Sequence, residues 1–123
     1  MKKIVSYTDL IVWQQGHKLV LEIYKVTNSF PKREDYVLTA QMRRAAISVT
    51  SNIAEGFTRK SKKEKIQFYF ISKASLIELH NQLFVARDVQ YLTKVQSDLI
   101  TEQIFSVGRL LTRFISTAED LQS

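Results

Sequence analysis

The scarcity of chain-breaking residues constrains this sequence most. Its 123 residues include three glycines and one proline. Those two residues supply the positive φ angles of tight turns and interrupt helices. A β-sandwich or barrel needs turn signals every ~8–12 residues, and this chain has too few. It therefore reads as all-α, with long uninterrupted helices. The hydrophobic fraction of 45% and charged fraction of 24% are those of an ordinary globular protein. The length suffices to bury a core without metal or disulfide support. No linker or internal repeat divides it, so a single domain over residues 1–123 is expected.

Apolar spacing of three and four residues marks four helical segments. The first covers about 9–28, with Thr8 as the expected N-cap. Its stripe runs through Trp13, Val20 and Tyr24 beside Gly16 and His17, widened by Leu19, Ile23 and Val26. Asn28 to Pro31 breaks the helix, because proline restricts the residue before it and donates no backbone hydrogen bond. A short turn over Arg33 to Tyr36 precedes the second helix, expected over about 39–55. Thr39 is its expected cap and Gly56 its expected stop. Leu38, Met42, Ala45, Val49 and Ile53 form its apolar stripe.

Ser61-Lys62-Lys63-Glu64 has the form of a capping box and opens a third helix reaching about Tyr91. Thr93-Lys94-Val95-Gln96 repeats that form and opens a fourth. The fourth carries Ile100, Ile104, Val107, Leu111, Phe114 and Ala118. Short connections favour neighbours that run antiparallel, so the expected architecture is an up-down-up-down four-helix bundle.

A bundle helix needs one apolar stripe, and two places exceed that. Ile66, Phe68, Tyr69, Phe70 and Ile71 point all around the third helix. Leu110, Leu111, Phe114 and Ile115 do much the same on the fourth. A large apolar side chain left in water forgoes ~1.5–3 kcal/mol. Self-association is the expected cover, with Phe68, Tyr69 and Phe70 at the interface. The second helix bears another candidate interface stripe: Arg44, Ser48, Ser51 (or Asn52) and Glu55, small and polar, interleaved with alanines. Arg44 and Glu55 are eleven residues apart, ~16 Å along a helix, too far to pair with each other. If buried, each needs a partner on another helix or another subunit.

Searches for catalytic or cofactor chemistry fail. The chain has no cysteine, which removes disulfides, thiolate metal sites and cysteine nucleophiles. Glycine at 16, 56 and 108 permits neither dinucleotide nor phosphate-binding loops. His17 and His80 fall on different helices, and no glutamate is followed three residues on by histidine, as a di-metal bundle site requires. No enzyme, cofactor or metal site is expected. No apolar run approaches the ~18 residues of a membrane span. Ser6, Thr8 and Asp9 interrupt any signal-type segment. A cytoplasmic location without membrane contact is therefore expected.

Charge is the strongest functional lead. The net charge is +6, and residues 59 to 73 hold six cations and one acid. Arg59, Lys60, Lys62, Lys63 and Lys65 crowd the start of the third helix, with Arg43 a possible addition. Cations there oppose the helix dipole, which hints at use by an anionic partner. Phosphate contacts without base readout are the expected mode for nucleic acid. The other reading of the same charge is solubility, or an acidic protein partner.

Five blocks occur in order: Tyr7-Thr8-Asp9-Leu10-x-x-Trp13-Gln14, Phe30-Pro31-Lys32, Gln41-Met42-Arg43-Arg44-Ala45-Ala46, Ser51-Asn52-Ile53-Ala54-Glu55-Gly56 and Ser75-Leu76-Ile77-Glu78-Leu79. With them the chain resembles the four-helix bundle proteins encoded by intervening sequences in bacterial 23S ribosomal RNA genes. That family includes relatives of the accessory variability determinant of diversity-generating retroelements. The resemblance implies an antiparallel bundle assembled as a homopentameric, barrel-like ring. It implies nucleic-acid binding, and for the retroelement relatives partnership with a reverse transcriptase. It also favours the buried, subunit-bridging reading of the Arg44 to Glu55 stripe, and it supplies no catalytic residues. Where the family often has Tyr-Gly-Leu, this chain has Tyr36-Val37-Leu38, so a glycine-dependent turn is not expected there.

Overall fold

The computed structural model describes residues 3–120. Four helices form: α1 (Ile11–Thr27), α2 (Leu38–Thr58), α3 (Lys62–Asp88) and α4 (Lys94–Asp120). Single 3₁₀ turns at Tyr7–Asp9 and Lys32–Glu34 precede α1 and α2, and no strand occurs among the described residues. Each helix packs on two neighbours: α1 on α2 and α4, and α3 on the same two. The result is a four-helix bundle. Its centre holds Leu19, Ile23, Met42, Val49, Ile53, Leu79, Leu83, Ile100 and Leu111, all essentially without exposure. Among the described residues, no helix is long and apolar enough to cross a membrane.

The helix starts divide into two kinds. The Thr93 hydroxyl accepts the Gln96 backbone N–H at 3.1 Å while the Gln96 side-chain Oε1 accepts the Thr93 N–H at 2.9 Å, a complete capping box for α4. At α3, the Ser61 hydroxyl accepts the Glu64 N–H at 3.0 Å. The other two starts differ from expectation. Ser6, not Thr8, caps the first turn, and the Asp9 carboxylate accepts the Val5 and Ser6 amides at 2.9 and 3.0 Å. Leu10 then extends the backbone, and α1 begins at Ile11 without a side-chain cap. Thr39 lies buried inside the first turn of α2, its hydroxyl unpaired. Glu34 reaches over from the preceding turn instead, and its carboxylate accepts the Leu38 N–H at 3.3 Å. Val37 sits at negative φ, so the turn before α2 does without glycine.

Gly56 is also not a stop. The α2 helix continues to Thr58, and Gly56 is buried within it. A Cβ there would lie 2.5 Å from Cε1 of Tyr69 and 3.1 Å from the Lys65 carbonyl. The missing side chain lets α3 lay a tyrosine ring directly against the α2 backbone. The α3 terminus uses a left-handed residue without glycine. Gln90 has φ of 67°, and the Tyr91 and Gln90 amides bond back to the Ala86 and Arg87 carbonyls. That is a Schellman closure, with glutamine in the place glycine favours.

The α1 core face also shifts. Val12, Gly16, Leu19, Ile23 and Val26 face inward, while Tyr24 and His17 are exposed and Trp13 lies half-buried. His17 stacks on Trp13 with ring centres 4.8 Å apart.

Candidate functional site

The candidate site joins the α2–α3 junction to the outer face of those two helices. At the junction, two of the expected phosphate-binding cations hold the protein's own backbone and a third pairs with its own carboxylates. The Lys65 ammonium donates to the Phe57 carbonyl at 2.8 Å, with Gly56 O at 3.4 Å, and so caps the end of α2. Lys62 donates to the Glu119 carbonyl at 2.7 Å, near the end of α4. Arg59 donates to the Glu55 carboxylate at 3.0 Å, lies 3.9 Å from that of Glu64, and covers the Phe68 ring at 4.7 Å. No external anion is therefore required to hold Arg59, Lys62 and Lys65 at this helix start. The start of α3 lies beside the carbonyl ends of α2 and α4, where cations are favourable. Lys60 and Lys63 remain exposed.

Arg43 does not join this cluster. It sits sixteen residues before Arg59 on the same stretch of chain, ~24 Å along the axis. Its guanidinium donates to the Thr27 hydroxyl at 2.9 Å and the Asn28 side-chain carbonyl at 3.0 Å, and it covers Tyr24 at 4.4 Å. It ties α1 to α2.

The polar stripe of α2 is split by the packing. Ser48 shares a 2.7 Å hydrogen bond with Ser75 across the α2–α3 seam. The Asn52 amide donates to the Ser48 carbonyl and hydroxyl at 2.8 and 3.0 Å. Fully buried Ser72 donates to the Val49 carbonyl at 2.6 Å. These hydroxyls let two helices approach closely without orphaned polar atoms. Arg44 and Ser51 are exposed, as is Glu55, whose partner is Arg59 of its own chain. No second helix or subunit is needed for that carboxylate.

The apolar cluster of α3 is likewise divided. Tyr69, expected at an interface, is 3% exposed inside its own subunit, wedged between Gly56 and the Phe114 ring at 4.7 Å. Burial pushes its phenol above the usual tyrosine range. Phe68 is half-buried beneath Arg59. Phe70 and Ile71 are 48% and 43% exposed. On α4, by contrast, Leu111 and Ile115 are buried and Leu110 and Phe114 half-buried against the core. That cluster is satisfied within the subunit.

No group of three or more metal-binding side chains occurs among the described residues. His80 packs on Phe84 and Phe105, with ring centres at 4.7 and 5.2 Å. Near the end of α3, Asp88 accepts a 2.8 Å hydrogen bond from Arg87, which holds its carboxyl below the usual range.

Comparison with known proteins accords with this architecture. A crystal structure of a protein of unknown function from the S23 ribosomal protein family of Bacteroides thetaiotaomicron superposes with a TM-score of 0.79. The match covers 86% of this chain and 96% of that one at 20% identity, which shows a shared fold. A search of curated proteins found no match. The profile of the 23S rRNA-intervening sequence proteins matches residues 8–113, and that span holds α1, α2, α3 and most of α4. By that match the chain belongs to the 23S rRNA-intervening sequence protein family.

Proposed function

We propose that this protein is a non-enzymatic, cytoplasmic scaffold that self-associates and holds nucleic acid non-specifically at the repeated basic ends of its subunits. The carrying observation is α3. Its apolar residues lie all around its circumference, and on the shoulder facing α2 Ile71 and Val85 stay exposed in the subunit, as does Ile47 of α2. Such a patch is normally covered by a partner, and a copy of the same chain is the commonest one.

Neighbouring helices would run antiparallel, as the Lys65 and Lys62 bonds to the ends of α2 and α4 support. Subunits would meet over the outer α2–α3 face, with Ile47, Ser51 and Ile71 in the contact and Arg44 and Glu55 at its margins. Ser48 and Asn52 would stiffen that face from beneath. Phe70 shares a stripe with Lys73 and Ile77 on the opposite shoulder of α3, so it lies outside this contact. A pentameric ring is the closed form this reading favours. It would present Lys60 and Lys63 once per subunit and multiply their effect on a polyanion.

Light scattering tests the assembly: a monomer at micromolar concentration ends this reading, and Ile71→Lys should dissociate the oligomer. A salt titration of binding to generic RNA and DNA tests the second half. The logarithm of affinity should fall linearly with the logarithm of salt concentration. Lys60→Gln with Lys63→Gln should weaken binding and leave the oligomer intact. No binding at low salt overturns the nucleic-acid role. A second reading, a protein adaptor without nucleic acid, is favoured by one observation: Arg59, Lys62 and Lys65 are already engaged within the chain.

A further inference from the structure

The shoulder of α3 away from α2 carries its own pattern. Phe70, Ile77 and Phe84 recur every seven residues, on the same stripe as Lys73 and His80. Facing them on α4 is Phe105, beside Arg109. Between the helices runs an open groove of about 320 Å³. Leu76, Ile104 and Gly108 lie at its base, with Ile77 65% and Phe105 46% exposed. Phe70 to Phe84 spans fourteen residues, so the apolar track is ~21 Å long, about four helical turns.

The charge around the Lys73 end of the groove is one-sided. Lys73 and Arg109 line it, and no acid does. No Asp or Glu occurs between Lys65 and Ile77, or between Gln103 and Ala118. At the far end Arg87 is hydrogen-bonded to Asp88. The uncompensated cations therefore sit at the Lys73 end.

We propose that this groove docks an amphipathic helix from another protein, with apolar residues on one face and acidic residues along its flank. Apolar anchors at seven-residue spacing fit the stripe and carboxylates fit Lys73 and Arg109, a helix-in-groove recognition mode. Single-stranded nucleic acid fits less well. It needs free ring faces for stacking, but the Arg87 guanidinium lies 4.8 Å over the Phe84 ring and His80 packs against both Phe84 and Phe105. A second copy docked groove to groove would set Lys73 and Arg109 against their own like charges. The groove is separate from the α2–α3 face, so the proposal stands or falls apart from self-association.

The test uses the full chain and two labelled synthetic peptides of about five turns. One carries leucines on one face and glutamates along its flank. The other has the same composition with the leucines scattered. Fluorescence anisotropy should show the first binding at least about tenfold tighter than the second. Ile77→Ala with Phe105→Ala should remove that preference, and Lys73→Glu with Arg109→Glu should weaken binding most at low salt. All four are surface positions or half-buried groove walls, and matching thermal melts check folding. If the alanine pair fails to fold, the charge-reversal pair carries the test alone. Equal affinity for the two peptides overturns the proposal, as does indifference to the substitutions. Loss of oligomer mass in the alanine pair overturns it in favour of a second copy. Loss of oligo-uridine binding with peptide binding intact overturns it in favour of nucleic acid.

Discussion

Two apolar-rich runs, 66–71 on α3 and 110–115 on α4, look alike in sequence but differ in the fold. Leu110 and Phe114 pack against the core, as Leu10 does, and the start of α1 forms the other side of the cavity beside them. Leu10, Ile11 and Val12 share a cavity wall with both. Phe70 and Ile71 have no comparable segment over them. The lesson is that surplus hydrophobicity is not a property of a helix alone. It depends on whether a connecting segment happens to cross the second face.

Four substitutions or conditions sharpen that contrast, the largest effect first. Leu111→Ala removes a side chain with no exposure from the satisfied run. It should cost ~2–5 kcal/mol in urea unfolding. A loss under ~1 kcal/mol would mean α4 is less well covered than its burial implies.

Gly56→Ala strikes the one fully buried member of the α3 run, because the new Cβ meets the Tyr69 ring at 2.5 Å. Alanine otherwise favours a helix by ~1 kcal/mol over glycine. A net destabilisation of ~1–3 kcal/mol would confirm that the ring cannot move aside. A stabilised variant would show that it can.

The third test is alkaline. The Tyr69 phenol titrates above its ordinary value of ~10 because burial disfavours the charged form. The unfolded chain then loses that proton first, so stability should fall as pH rises through the ordinary value and continue falling up to the folded one. Tyr69→Phe should flatten that slope in unfolding curves collected across the range. An unchanged slope would place the phenol in contact with solvent.

Ile71→Ser should have the smallest effect on folding, within ~0.5 kcal/mol at concentrations where any assembly is dissociated. Its effect should appear in light scattering as a loss of mass. A large folding penalty would show that Ile71 is packed inside the subunit after all.

Much of the bundle was legible in sequence because its signals are local. The Thr93 and Ser61 caps each depend on residues three apart. The Met42 to Ile53 stripe depends on one helix alone. Thr8, Thr39 and Gly56 depart from their local signals because their roles are decided elsewhere: by Ser6 and Asp9, by Glu34, and by Tyr69 thirteen residues on. The candidate site was less legible for the same reason. A lysine that reaches a carbonyl on the next helix is indistinguishable, as a letter, from one in water. Lys62 and Lys60 illustrate this, two positions apart with different surroundings. The groove stripe of Phe70, Ile77 and Phe84 did carry a readable signal in its heptad spacing.

The capped junction has a consequence for proteolysis. Arg59, Lys60, Lys62 and Lys63 together form the densest cluster of trypsin targets in the chain. A protease must draw several residues into an extended strand before it can cut. Here that means pulling Lys65 off the last carbonyls of α2 and Lys62 off Glu119. Trypsin should therefore nick this segment only as fast as those helix ends fray, so the most basic stretch should outlast what its composition suggests.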